Sequence, residues 1–302
     1  MRLATIKRNG QEKAAVITQK GAILVESINR NLNLNWSINV FDLVQTGQLE
    51  HLKEWYRSGG EGELNDFHEV ILHEDIENGP LYRQPRKIWG IGLNYVEHAS
   101  DLSEQAPNKE PASFMKPDTS IIGPGDCIKI PHQSDRTTAE AELGIIIGKE
   151  CKNVSEEEAP HVIAGFTTVI DMTAEDILQL NPRYLTRAKS FDSFFSFGPE
   201  LVTEDEVDEV MNLHVSTVIN GELHRKNVVS NMTFRPWDLV SFHSKVMTLL
   251  PGDIISTGTP GAGVIRDGDV VECQIDGFTK LTNPVRDLKV KSKKEALSRQ
   301  MI

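Results

Sequence analysis

Short apolar runs and polar breaks alternate along the chain, and the character of the alternation changes near residue 80. Leu3–Ile6 and Ala14–Thr18 read as strands around Arg8-Asn-Gly-Gln11, where an Asn-Gly pair between apolar runs signals a hairpin. Val40–Thr46 and Glu50–Ser58 read as helix, interrupted near Gly47, and the polar stretch Gly59–Glu63 closes them. Pro80–Pro85 reads as a linker or domain entry, since proline disfavours helix before it and has no backbone donor. From Ile88 onward, apolar runs are bounded by Gly, Pro and Asp: Ile88–Gly92, Ser113–Met115, Cys127–Ile130, Leu143–Ile147, Ala164–Ile170, Leu213–Ile219, Ile254–Ser256 and Val270–Gln274. These predict β-strands, some half-buried and some buried on both faces. Helices are fewer: Tyr95–Leu102, Ser155–His161, Ala174–Gln179 and Pro236–Met247, the last with a proline suited to a first turn. The pattern predicts a small N-terminal α+β domain over residues 1–80 and a β-rich α+β domain over 81–302.

Charge and cysteine content narrow the function. The net charge is -12, from 32 basic and 44 acidic side chains, which disfavours non-specific binding to nucleic acid. The basic run Lys289–Lys294 reads as a solvated terminus rather than a nucleic-acid tail. No stretch approaches the roughly 20 apolar residues that cross a bilayer, and the first residues lack the apolar core of a secretory signal. A cytoplasmic protein with neither nucleic-acid nor membrane partner is expected. Cys127, Cys151 and Cys273 are odd in number and widely spaced, so they predict free thiols rather than disulfides or a zinc knuckle.

The candidate chemistry begins at Thr138-Ala-Glu-Ala-Glu-Leu-Gly-Ile-Ile-Ile-Gly148. On an extended chain Glu140 and Glu142 point to one face. Adjacent carboxylates repel unless something neutralises them, and a hard divalent cation does so with oxygen ligands. The alternative is an edge strand with both groups in solvent. Asp171 ends the apolar run Ala164–Asp171, where it is either a third ligand or a helix cap, with Thr173 a candidate N-cap for the helix that follows. Lys189, in Thr186-Arg-Ala-Lys-Ser-Phe191, could meet a substrate oxygen or lay its stem over Phe191. The loop Gly258-Thr-Pro-Gly-Ala-Gly263 offers backbone amides and the Thr259 hydroxyl to a carboxylate or phosphate. His98 and Asp101 share a helix face, as a general-base pair or as a plain surface pair.

Taken in order, these segments resemble the fumarylacetoacetate hydrolase family. The motifs are Gly92-x-Asn-Tyr-x-x-His98, Phe114-Met-Lys-Pro117, Glu140-x-Glu142-Leu-Gly, Asp171-Met-Thr-Ala-x-Asp176, Arg187-Ala-Lys-Ser-Phe191, Asn220-Gly-Glu222, and Pro251-Gly-Asp-Ile-Ile-x-Thr-Gly-Thr-Pro260. The resemblance implies a mixed β-sandwich or roll, a homodimer, and one Mg²⁺ or Mn²⁺ per subunit held by Glu140, Glu142 and Asp171. It implies that Lys189 and Thr259 contact a 2-keto acid, with Lys189 also catalytic, and that His98 is a general base oriented by Asp101, where family members often carry Glu. The expected activity is C–C bond hydrolysis of an acylpyruvate or decarboxylation of oxaloacetate, through an enolate stabilised at the cation. The alternatives are an isomerase or hydratase of hydroxymuconate-type enols from aromatic catabolism, and a non-catalytic keto-acid-binding protein.

Overall fold

A computed structural model describes residues 1–101 and 106–290, without the side chains of residues 98, 99 and 101. The end of the basic segment Lys289–Lys294 lies outside the described residues. Two mixed sheets carry the fold. Among the described residues the larger has 13 strands, and from Arg2–Arg8 to its end strand the order runs Arg2–Arg8, Glu200–Thr203, Ile163–Ala174, Thr137–Ile147, Ile254–Ser256, Ile88–Gly92, Ala112–Lys116. The smaller has five, in the order Glu222–Val228, His214–Ile219, Val270–Ile275, Leu281–Asp287, Ile128–Ile130. Among the described residues no helix is long and apolar enough to cross a membrane.

The N-terminal hairpin forms where the Asn-Gly signal puts it. Arg2–Arg8 pairs antiparallel with Gln11–Thr18, and both turn residues have positive φ (Asn9 52°, Gly10 73°), as a type I′ turn requires. The other edge of Arg2–Arg8 pairs with Glu200–Thr203, so the N-terminal strands continue the larger sheet.

The framework of the site is the antiparallel pair Thr137–Ile147 and Ile163–Ala174, in which every residue is buried. Alternation assigns the two faces. Ala139, Ala141, Leu143 and Ile145 enter a core shared with Val215, Val271, Cys273 and Leu281 of the smaller sheet. Ile146 and Val169, on the opposite face, enter a second core with the N-terminal strands and helices. The smaller sheet is also tied on by polar contacts: the Thr217 hydroxyl accepts from the Ala141 N–H at 3.1 Å.

Three expectations are corrected. Ser155–His161 is not an α-helix; a 3-10 segment, Ala159–Val162, takes its place, because Pro160 lacks the amide that a longer ladder needs. Thr173 is not a helix cap. The strand runs on to Ala174, the helix covers Glu175–Leu180, and no side chain caps it, so Thr173 is a strand residue. Asp171 therefore sits within its strand rather than at its end. Strands Glu222–Val228 and Leu281–Asp287 were not anticipated, since the first is almost wholly polar and the second contains Pro284.

Candidate metal centre

Glu140 and Asp171 are direct cross-strand partners, and Glu142 stands opposite Val169. Both glutamates face away from the smaller sheet, as their spacing implies, but on an interior strand rather than an edge. They are only 7% and 2% exposed. One carboxylate oxygen from each of Glu140, Glu142 and Asp171 lies within 4.8 Å of the others.

Two lysines converge on this cluster. The Lys189 ammonium, at the end of the short helix Leu185–Lys189, donates to Glu140 Oε2 at 2.8 Å and to Asp171 Oδ2 at 2.7 Å. It does not snorkel over Phe191; its Nζ lies 4.7 Å from the centroid of the Phe114 ring. Lys116, the last residue of Ala112–Lys116, donates to Asp171 Oδ1 at 2.5 Å and to the Lys189 carbonyl. Gly90 makes room for this arrangement. A Cβ there would stand 2.2 Å from the Phe114 ring, which crosses the neighbouring strand at that point. The Thr173 hydroxyl donates to Glu140 Oε2 at 3.2 Å. Glu142 Oε2 accepts from the Ser256 hydroxyl at 2.5 Å and from the Gly258 N–H at 2.9 Å.

Thr259 follows on the same loop and is buried, its hydroxyl exchanging hydrogen bonds with Gly261. His98 and Asp101 fall on the helix Val96–Asp101, but their side chains lie outside the described residues. Lys116 carries no role in the sequence reading. Its only signal was its place in Phe114-Met-Lys-Pro117, because nothing local tells that a lysine ending a strand will be fully buried.

The electrostatics follow from three carboxylates and two ammonium groups in a buried space. Burial would raise the Asp171 pKa, but Lys116 and Lys189 hold it below the ordinary range. Burial would lower Lys189, and Asp171 and Glu140 raise it instead. For Lys116 burial wins over Asp171, and its pKa is lowered. Among the described residues Glu142 has no ammonium partner at hydrogen-bond distance. Burial, then Asp171 and Glu140, push it up to about 8.

This shift has a signed consequence. A folded-state pKa of about 8 against an ordinary 4.5 means that the metal-free native state holds more protons than the unfolded chain between those values. Stability contributed by this group is then full below the lower value and is lost as pH rises through the upper one. Without divalent cations the melting temperature should fall between about pH 5 and 9, and Mn²⁺ should offset the fall at the alkaline end. Thermal melts across that range check this; a fall of the same size with and without Mn²⁺ would count against it.

The model of the fumarylacetoacetate (FAA) hydrolase C-terminal domain matches residues 87–286. The chain belongs to this family. It is 40% identical over 231 residues to a mitochondrial oxaloacetate tautomerase of Xenopus laevis, covering 74% of this chain and 72% of that protein. Among solved structures it is similar to maleylpyruvate hydrolase from Sphingobium sp. SYK-6, in complex with manganese(II) and pyruvate. There the TM-score is 0.77 at 27% identity, over 95% of this chain and 99% of that one. It is also similar to 5-carboxymethyl-2-hydroxymuconate delta-isomerase from Mycobacterium smegmatis, with a TM-score of 0.73 at 31% identity over 95% and 99% of the two chains. The family's strand-rich mixed-sheet fold is the one found here. Family relatives and structural neighbours include a tautomerase, isomerases and hydrolases, several acting on keto acids or enols by their names.

Proposed function

We propose that the chain is a divalent-metal-dependent enzyme that moves a proton at C3 of a 2-keto acid, interconverting ketone and enol, with an oxaloacetate-type substrate. The observation that carries this reading is the buried cluster of Glu140, Glu142 and Asp171. The donor set fits a hard cation: all oxygen, closely spaced, and carrying one more negative charge than the two lysines supply. The Glu142 pKa is raised first by burial and then by the negative charge of Asp171 and Glu140. Mg²⁺ and Mn²⁺ both suit these ligands, and the manganese in the maleylpyruvate hydrolase structure supports the second.

When bound, the cation supplies positive charge where the carboxylate and C2 oxygens of the substrate gather, which favours the enolate. The chain's own residues do the rest. Lys189 adds an ammonium beside the developing negative charge at the C2 oxygen. Thr259 holds the substrate carboxylate. His98, oriented by Asp101, takes the proton from the enol hydroxyl and returns a proton to C3, or the reverse; a positioned acid–base group of this kind contributes roughly 10²–10⁴-fold. Phe114 and the buried strands shield the ammonium groups from bulk water, which strengthens their attraction for nearby negative charge.

The oxaloacetate tautomerase relative favours proton transfer over cleavage. A second reading, C–C hydrolysis, is favoured by likeness to maleylpyruvate hydrolase along almost the whole chain. It needs His98 to activate a water that attacks a distal carbonyl. The test follows the disappearance of enol absorbance from oxaloacetate while pyruvate release from oxaloacetate and from an acylpyruvate is measured in parallel. Mn²⁺, Mg²⁺ and a chelator are compared, with correction for uncatalysed decay. The expected result is metal-dependent enol loss without pyruvate. Pyruvate from the acylpyruvate would establish the hydrolase instead, and pyruvate from oxaloacetate a decarboxylase. Enol loss indifferent to the chelator would overturn the metal-dependent reading.

A further inference from the structure

Glu142 differs from its two neighbours in what orients it. Glu140 and Asp171 are held by lysines, whereas Glu142 is held by a hydroxyl and a backbone amide, both on Oε2. That amide belongs to the peptide joining Thr257 to Gly258, and the carbonyl of the same peptide is itself restrained. Asn94 Nδ2 donates to the Thr257 oxygen at 2.8 Å. A peptide unit is planar, so gripping its C=O sets the direction of its N–H. The Asn94 carboxamide also donates to the Phe234 carbonyl and accepts from the Phe234 N–H, each at 2.8 Å. Asn94 is 1% exposed, so water cannot readily replace these partners. The fit is close on the other side as well. Gly258 has φ of +95°, and a Cβ there would stand 2.8 Å from Asn94 Cβ and 3.0 Å from the Ile91 oxygen.

We propose that Asn94 is a positioning residue for Glu142, acting through the Thr257–Gly258 peptide to aim the carboxylate at the cation. The inference rests on the reading of Glu140, Glu142 and Asp171 as a metal site. Asn94 lies between Leu93, whose φ is +56°, and the helix Val96–Asp101. The peptide that orients Glu142 is thus tied to the segment leading into that helix. Groups that orient metal ligands typically contribute ten- to a hundredfold to affinity.

The test is Mn²⁺ binding by the full chain, read from the electron paramagnetic resonance signal of free Mn²⁺, together with thermal melts of the metal-free protein. Asn94→Ala is expected to raise the Mn²⁺ Kd about ten- to a hundredfold. In a cycle with Ser256→Ala the two effects should be non-additive, because the Gly258 amide that Asn94 restrains and the Ser256 hydroxyl hold the same oxygen. Gly258→Ala strains the same peptide from its other side, by crowding Asn94 Cβ and the Ile91 oxygen while the Asn94 carboxamide is retained, and it should raise Kd as well. A Kd within about twofold of wild type in Asn94→Ala, beside a lowered melting temperature, would reduce Asn94 to a loop fastener and overturn the proposal. If Asn94→Ala does not fold, an unchanged Kd in Gly258→Ala does the same. Failure of the wild-type chain to bind Mn²⁺ would instead remove the metal site itself, and this inference with it.

Discussion

Asp171→Asn should lower metal-dependent turnover by a factor on the order of 10³ or more, with Mn²⁺ binding weakened in parallel. Three effects coincide at this residue. It supplies one of three carboxylates to the cluster, it faces Glu140 directly across the ladder, and its two oxygens separately hold Lys116 and Lys189. The amide keeps the shape but not the charge, and its nitrogen is a donor placed against an ammonium. Asp171→Ala goes further, leaving both buried ammonium groups without their shared partner. Breaking a buried pair from one side costs about 3–5 kcal/mol. We therefore expect the alanine variant to unfold at clearly lower urea, and the asparagine variant to lose less stability but as much activity. Kinetics, Mn²⁺ titration and urea melts separate the two effects. Wild-type turnover and Mn²⁺ affinity in Asp171→Asn would refute the site.

Lys116→Met should lower kcat by about a hundredfold with a smaller change in KM. The Lys116 side chain is fully buried, and its ammonium bridges Asp171 to the carbonyl of Lys189. It thereby sets both the carboxylate and the end of the helix from which the Lys189 ammonium projects. Methionine keeps the apolar stem while removing the ammonium, so of the two lysines Asp171 keeps only Lys189. Lys116→Arg should not rescue turnover, since a planar guanidinium is bulkier than an ammonium and the surroundings are close-packed. A merely structural lysine would lower the melting temperature in both variants and leave the kcat of the folded protein intact; that outcome would exclude Lys116 from the positioning of the site.

Local pattern reached a good part of this protein. Period-two spacing sent Glu140 and Glu142 to one face, the Asn-Gly turn paired the first two strands, and ordered motifs carried the family. Each depends on a few adjacent residues, and backbone geometry converts such spacing directly into direction. The reading failed where a residue's state depends on distant neighbours. Thr173 looked like a helix cap but continues a strand, because Thr138 is its partner across the ladder and extends the pairing. Lys116 looked like an ordinary lysine, yet the approach of Asp171 and of the Lys189 carbonyl makes it a buried cation. Asn94 gave no hint that its carboxamide reaches Phe234 and Thr257, since each contact spans more than a hundred positions. The sequence by itself determined most of the longer strands, the shared face of the paired glutamates and the family. Only the tertiary structure decided which charges neutralise one another and what aims each carboxylate, because those are properties of strand register and loop closure, which bring together groups that share no local pattern.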